Sequence, residues 1–476
     1  MIPRSMATSV HVHTRFSKNA FLPYAFAAAC MLLFLCTSAL PAAVPTRVPD
    51  PLTSEGTEFW LCFQRNFKDS PSGAQKSNTN DVSLELYIFS RADANVSIEI
   101  DGISYQVTRK VTAGTMEKIV IDKAAELKDL DKIKRLAVHV ISDQPITVYG
   151  LSSRFQTTDA FLGLPVSVLG NDYMVMGYKY SEGLLSQFAI IATADGTTVT
   201  ITPTAQTSTG HKALVPYNVA MKKGDVLQVS SFDSKTEKTD LTGSRITANK
   251  PISVFSGHQC AYVPEGIIGC NFLVEQMPPL SSWGTSFIVG KLYSRMNYTV
   301  RVLAKEPNTK VYVNSEQVAT LGAGEVYENS EFTKNISISA NQPVLVAQYS
   351  HGYLIGDQTG DPMMLLVTPT EFFTPSCYYA TPKSDDWNHY INVVIPTTSI
   401  GSLIIDGKKA SDQLEFVPVP ATTYCVAQIK VPYGSHTITA DQPLGLYSYG
   451  FGYDGQAYDA YGTSGGRFFA TPPPAR

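Results

Sequence analysis

One short phrase occurs four times in this 476-residue chain, and its recurrence sets the architecture before any single residue is interpreted. It first reads Val140-Ile141-Ser142-Asp143-Gln144-Pro145-Ile146-Thr147-Val148-Tyr149. It returns at 246–255, 338–347 and 438–447, with Pro145, Pro251, Pro343 and Pro443 spaced by 106, 92 and 100 residues. An aliphatic residue stands five before each proline, and Asp143, Asn249, Asn341 or Asp441 stands two before it. Asp and Asn start turns by bonding nearby backbone, and proline has no amide to give a ladder. After each proline the first and third residues are aliphatic, as in Ile146 and Val148, which is one face of a strand. The phrase therefore reads as strand, tight turn, strand.

The units also open alike. Gly56-Thr57-Glu58-Phe59-Trp60-Leu61, Gly170-Asn171-Asp172-Tyr173-Met174-Val175 and Gly284-Thr285-Ser286-Phe287-Ile288-Val289 start at glycines 114 residues apart. Short alternating runs lie between, such as Leu84 to Phe89, Val96 to Ile100 and Thr198 to Thr202, with Ala194-Asp195-Gly196 marking a hairpin. About seven strands per unit, with a turn every 8 to 12 residues, predicts an all-β fold. The expected form is four tandem β-sandwich-like repeats of about 100 residues, at 52–168, 169–282, 283–372 and 373–468, with a tail at 469–476. The alternative is a pseudo-fourfold, propeller-like ring. Only Ala124 to Leu136 looks helical, through Leu127, Leu130 and Ile133, and it reads as a short surface helix or loop insertion.

Residues 1–43 resemble a secretory signal, with Arg4, Arg15 and Lys18 ahead of the apolar run Phe21 to Leu40 and small residues at Ala42 and Ala43. The expected location is extracellular or at the cell surface, with no membrane attachment beyond the cleaved signal. That segment has no acid, so the formal charge of −4 becomes about −7 in the mature chain. No basic patch stands out, which argues against nucleic-acid partners. Export permits disulfides. Cys260 and Cys270 flank one loop and are the leading pair, Cys377 and Cys425 are a second candidate pair, and Cys62 is left over. No cysteine or histidine spacing suits a metal, and no cofactor is expected.

A second echo follows each closing strand, at Asp159-Ala160-Phe161, Asn271-Phe272-Leu273, Asp361-Pro362-Met363 and Asp459-Ala460-Tyr461. These four polar residues read either as a shared contact surface at equivalent loops or as caps on the turn into the next unit. Tyr449, Tyr453, Tyr458 and Tyr461 form a Tyr- and Gly-rich tract of the kind that makes protein contacts, or else ordinary aromatic strand pairs. His258 and His351 hold nearly equivalent positions, and Asp385, Asp386 and His389 cluster. They define an alternative reading, an extracellular hydrolase or lyase, although no Gly-x-Ser-x-Gly elbow is present. A third reading is a structural matrix component. Asn95, Asn297 and Asn335 begin glycosylation triplets.

The opening run at Gly56, the Asp143 phrase, Thr158-Asp159-Ala160-Phe161-Leu162, Ala194-Asp195-Gly196-Thr197-Thr198-Val199, Phe255-Ser256-Gly257-His258-Gln259-Cys260 and Leu273-Val274-Glu275-Gln276-Met277-Pro278-Pro279 together resemble the N-terminal domain family of the IgG Fc-binding protein. The resemblance spans roughly residues 55 to 465. It implies an exported, non-catalytic protein that binds or adheres to a protein or glycan ligand. It carries over no individual binding residue.

Overall fold

The computed structural model describes residues 52–66, 82–179, 183–234, 239–353, 359–384, 386–410, 412–452 and 458–470. The expected signal segment, Tyr453 and Asp385 lie outside them. The described chain is almost all β, and its strands form four separate sheets of seven, eight, seven and eight strands.

Each sheet is organised around one long strand that contains the repeated phrase: Val138–Arg154, Arg245–Tyr262, Ile336–Ser350 and Gly434–Gly452. The expected tight turn is therefore corrected, because the proline lies inside a continuous strand. The opening strand shows why. Gly56 pairs with Ile146 while Glu58 pairs with Ile141, so a step of two residues on one strand faces a step of five on the other. The same step recurs between Thr247 and Ile252, Ser339 and Val344, and Thr439 and Leu444. A bulge of this kind bends a strand and leaves residues out of the ladder, where a missing amide costs nothing. The Asp or Asn of the bulge caps the neighbouring strand instead. Asp143 accepts from the Asn95 amide at 2.8 Å, Asn249 from Thr198 at 2.8 Å and Asn341 from Lys310 at 2.7 Å. In the fourth unit Asp441 accepts from the Ser402 hydroxyl at 2.7 Å.

The bend carries each long strand from one layer to another. In the first unit its first half lies between Gly56–Leu61 and Ala94–Ile100. Its second half lies between Ser83–Ser90 and Thr157–Leu162. Strands such as Ser186–Ala192 and Tyr298–Ala304 are buried at every residue, including the polar Gln187, Thr299 and Arg301.

Both faces are covered because neighbouring units share their cores. Val140 and Phe161 pack with Ile191, Phe255 and Val274. Val254 packs with Leu345 and Tyr349, and Val346 with Val394 and Tyr447. Tyr379 and Ile391 pack back onto Tyr149 and Leu151 of the first unit. The fourth unit thus returns to the first, and the described units close a ring. The ends of the described domain seal it: the Ser54 amide donates to the Arg467 carbonyl at 3.0 Å, and the Phe469 amide to Leu52 at 2.9 Å. The expected helix-like insertion is a loop with a single short 3-10 turn, Lys123–Ala125, and a two-residue strand, Ile133–Lys134. That strand extends the sheet of the second unit by pairing with Val226 and Leu227.

Cys260 and Cys270 form a disulfide, as their spacing suggests. Cys377 and Cys425 do not pair, which corrects that expectation: both are free and buried. Cys377 faces Ile438 on the first half of the long strand, whereas Cys425 lies opposite Ile395, whose carbonyl accepts from its Sγ at 3.4 Å. They belong to different sheet segments, and no bond between them fits that register.

Candidate functional site

After each long strand the chain reverses and runs back as a short inner strand: Thr157–Leu162, Cys270–Gln276, Met364–Leu366 and Ala460–Ser464. These strands begin at the four echoed polar residues, and they meet at the ring axis. Asp159 accepts from four amides, one per unit: Ala160 at 2.9 Å, Val274 at 3.2 Å, Met364 at 3.2 Å and Gly462 at 3.1 Å. Asn271 is its complement. Its oxygen accepts from the Thr158 amide at 2.8 Å and its nitrogen donates to Thr158, Pro362 and Ala460 carbonyls. The Thr158 hydroxyl donates to Asp459 at 2.7 Å. Glu275 accepts from the Leu366 amide at 3.1 Å, and Gln276 from Leu164 at 2.7 Å. Close approach is needed here: a Cβ on Gly150 would lie 2.0 Å from the Phe161 ring.

The four echoed residues are therefore gathered in one place, but inside the molecule. Asp159, Asn271, Asp361 and Asp459 are all buried, so as an exposed contact surface they are corrected to an axial hub. A buried polar group needs partners, and each inner strand supplies amides that its own sheet leaves unpaired. Burial pushes the Asp159, Glu275 and Asp361 carboxyls well above the usual range, with the charge of Asp459 adding to the effect at Asp361. Burial likewise pushes Asp459 up to about 7, against the pull of Lys383 and the Thr158 hydroxyl.

The tyrosine tract divides. Tyr449 and Tyr461 are core residues, the first with its hydroxyl donating to Asn392 at 2.9 Å and the second bonded to His389 Nδ1 at 2.7 Å. Tyr458 alone of the described three is open, at 40% exposure. It stands with Phe155, Ile268 and Tyr353, which the sequence did not single out. Described residues that precede three of the inner strands lie together at one end of the axis. Phe155 and Ile268, before the first two inner strands, stand 58% and 59% exposed. Tyr353 and Tyr458, before the last two, are in contact, with ring centroids 4.2 Å apart. Tyr353 also lies against Gly269, next to Ile268. The second, third and fourth units each contribute one apolar or aromatic side chain here, and Phe155 is exposed at the corresponding turn of the first. The missed signal is positional, since each residue stands one to eight places before its echoed polar residue.

The histidines are interior. His258 Nδ1 accepts from the Cys260 amide at 3.1 Å, His351 Nε2 is bonded to the Thr299 hydroxyl at 2.9 Å, and burial pushes both imidazoles down to about 4. His389 spans the Tyr461 hydroxyl and the Ser384 carbonyl at 3.0 Å, while Asp386 is exposed and bonds to the Ser384 hydroxyl. These residues do not converge on one cleft.

A closed ring of four β units, with an internal polar hub and residues of three units gathered at one end, defines a rigid scaffold that presents a composite face. The chain belongs to the IgGFc binding protein family, whose model matches residues 159–450. It is 27% identical over 411 residues to the human IgGFc-binding protein. That match covers 83% of this chain but only 7% of the relative's length.

Proposed function

We propose that the protein is a secreted or surface-exposed, non-catalytic binding protein whose contact surface is the loop face at the axis end. It recognises a protein ligand. The observation that carries this reading is the contact of Tyr353 with Tyr458 and with Gly269 beside the exposed Ile268, residues of three units in one place, with Phe155 exposed on the corresponding turn of the first unit. Exposed apolar side chains clustered at one place are characteristic of interaction sites, and Tyr brings contact area at low entropy cost. Loops on a rigid scaffold are the usual carriers of recognition. Family membership supports a binding role, and the human relative's name points to an antibody constant region as the first ligand to try.

The test is binding of the purified protein to immunoglobulin G Fc and to a panel of secreted host proteins and mucins. The Phe155→Ala/Tyr458→Ala double variant is expected to weaken the positive interaction by about tenfold or more, because truncated aromatic anchors dominate such interfaces. Binding unchanged in that variant, with an unchanged melting temperature, would contradict the assignment.

A further inference from the structure

In the first and fourth units a histidine of the long strand stacks on an aromatic ring of the opening strand. Across the opening-strand pair, His139 lies opposite Trp60 and His436 opposite Tyr379. In both places the imidazole stacks on the ring, at 3.8 Å and 8° for Trp60 and at 5.0 Å and 21° for Tyr379. In both, an imidazole nitrogen meets a carboxylate: Glu58 at 2.9 Å and Asp406 at 2.8 Å. The two histidines are not register-equivalent: His139 stands one residue before Val140, where the other units hold Arg245, Ser337 and Thr437, and His436 stands one residue further back, on the opposite face of its strand.

Trp60 and His139 border one cleft, and His436 borders a second, with Tyr379 buried behind it. The one between the first and second units measures about 400 Å³ and the one between the fourth and first about 450 Å³. Both are within the range of small-ligand sites. The first is lined by Trp60 and His139 and by charges of both signs, with Glu99 and Asp101 facing Arg135 and Lys223. Lys223 is exposed, and its ammonium rests over the indole at 5.6 Å. The second is lined by Tyr378, Tyr433, Asp406, His436 and Thr437.

We infer that these two clefts are saccharide sites. An uncharged sugar has apolar C–H faces that match aromatic rings, and hydroxyls that both give and accept hydrogen bonds. Balanced charge in the first cleft offers acceptors and donors without a net field to select an ion. Lys223 swings off the indole, so that the sugar takes the ring face and the ammonium takes a hydroxyl. In the second cleft the Tyr433 ring and the Asp406 carboxylate play the same two parts. These sites are separate from the loop face at the axis end.

An oligosaccharide array followed by titration calorimetry with the best hit tests this on the whole protein. The expected result is binding of a neutral saccharide at two sites per chain. Glu99→Gln/Lys223→Ala should remove one site and Tyr433→Ala the other, each by about tenfold or more in affinity, with melting temperature unchanged. All substituted groups are at least partly exposed, and an unchanged melting temperature checks that each variant folds. No retained saccharide, binding confined to acidic sugars and lost in high salt, or binding indifferent to both variants would overturn the inference. The Phe155→Ala/Tyr458→Ala protein must still bind the sugar, which separates a failure here from a failure of the loop-face reading.

Discussion

The axis and the seams of the ring are held by opposite means. At a seam two neighbouring units share apolar side chains, such as Val140 and Phe161 against Ile191 and Val274. That contact is non-directional and roughly proportional to buried area. At the axis two polar side chains, Asp159 and Asn271, each bond to groups of all four units. The difference teaches where the number of units is fixed. Seam packing makes neighbours adhere but sets no count. A carboxylate that accepts one amide per unit specifies four.

The largest effect should come from removing the acceptor at the axis. Asp159→Ala leaves four buried amides without partners and should cost about 4 kcal/mol or more, seen as a large fall in denaturation midpoint or a failure to be secreted. Asp159→Asn keeps one acceptor oxygen and should cost less. If the alanine variant is no worse than a seam truncation such as Val274→Ala, at about 2 kcal/mol, the contrast between axis and seam is broken.

The next effect concerns the proton at the axis. With Asp459 raised to about 7 in the folded state, the hub keeps a proton that the unfolded chain loses near the ordinary carboxylate value. Its contribution is full below that ordinary value and is lost as pH rises through about 7. Relative to Asp459→Asn, the native protein should therefore lose stability as pH rises from 3.8 to about 7 and change little above that. Parallel pH–stability curves for the two proteins would refute this.

Smaller still is the cap in the bulge. Asp143→Ala frees the Asn95 amide at an exposed hairpin and should cost about 1 kcal/mol in denaturant unfolding. A loss as large as that of Asp159→Ala would mean that the rim, too, helps to close the ring. A covalent check costs no stability at all. Cys62, Cys377 and Cys425 should react with a maleimide only after denaturation, while Cys260 and Cys270 should also require a reductant. Peptide mapping by mass spectrometry reads this directly.

Much of the rim and seams was legible in the sequence, because repetition and alternation are local properties. The four-unit plan, the strand content and the Cys260–Cys270 bond all rest on residues near one another in the chain. The proline phrase misled on one point. Turn chemistry and bulge chemistry use the same residues, and only the partner strand's register, a step of two against a step of five, tells them apart. The axis was opaque for a different reason. Asp159 meets Val274, Met364 and Gly462 across separations of 115, 205 and 303 residues. In the sequence it looks like any acid at a turn. Tyr449 and Tyr461 misled in the same way, since a buried tyrosine with a bonded hydroxyl has the same neighbours in sequence as an exposed one.

Hydrogen exchange at four amides gives the most direct reading of the closed ring. Ala160, Val274, Met364 and Gly462 belong to four different units and share one carboxylate. Their exchange should be equally slow, governed by a single global opening, and Asp159→Asn should speed all four together. Four separate opening free energies, or acceleration confined to Ala160, would contradict a ring locked at its centre.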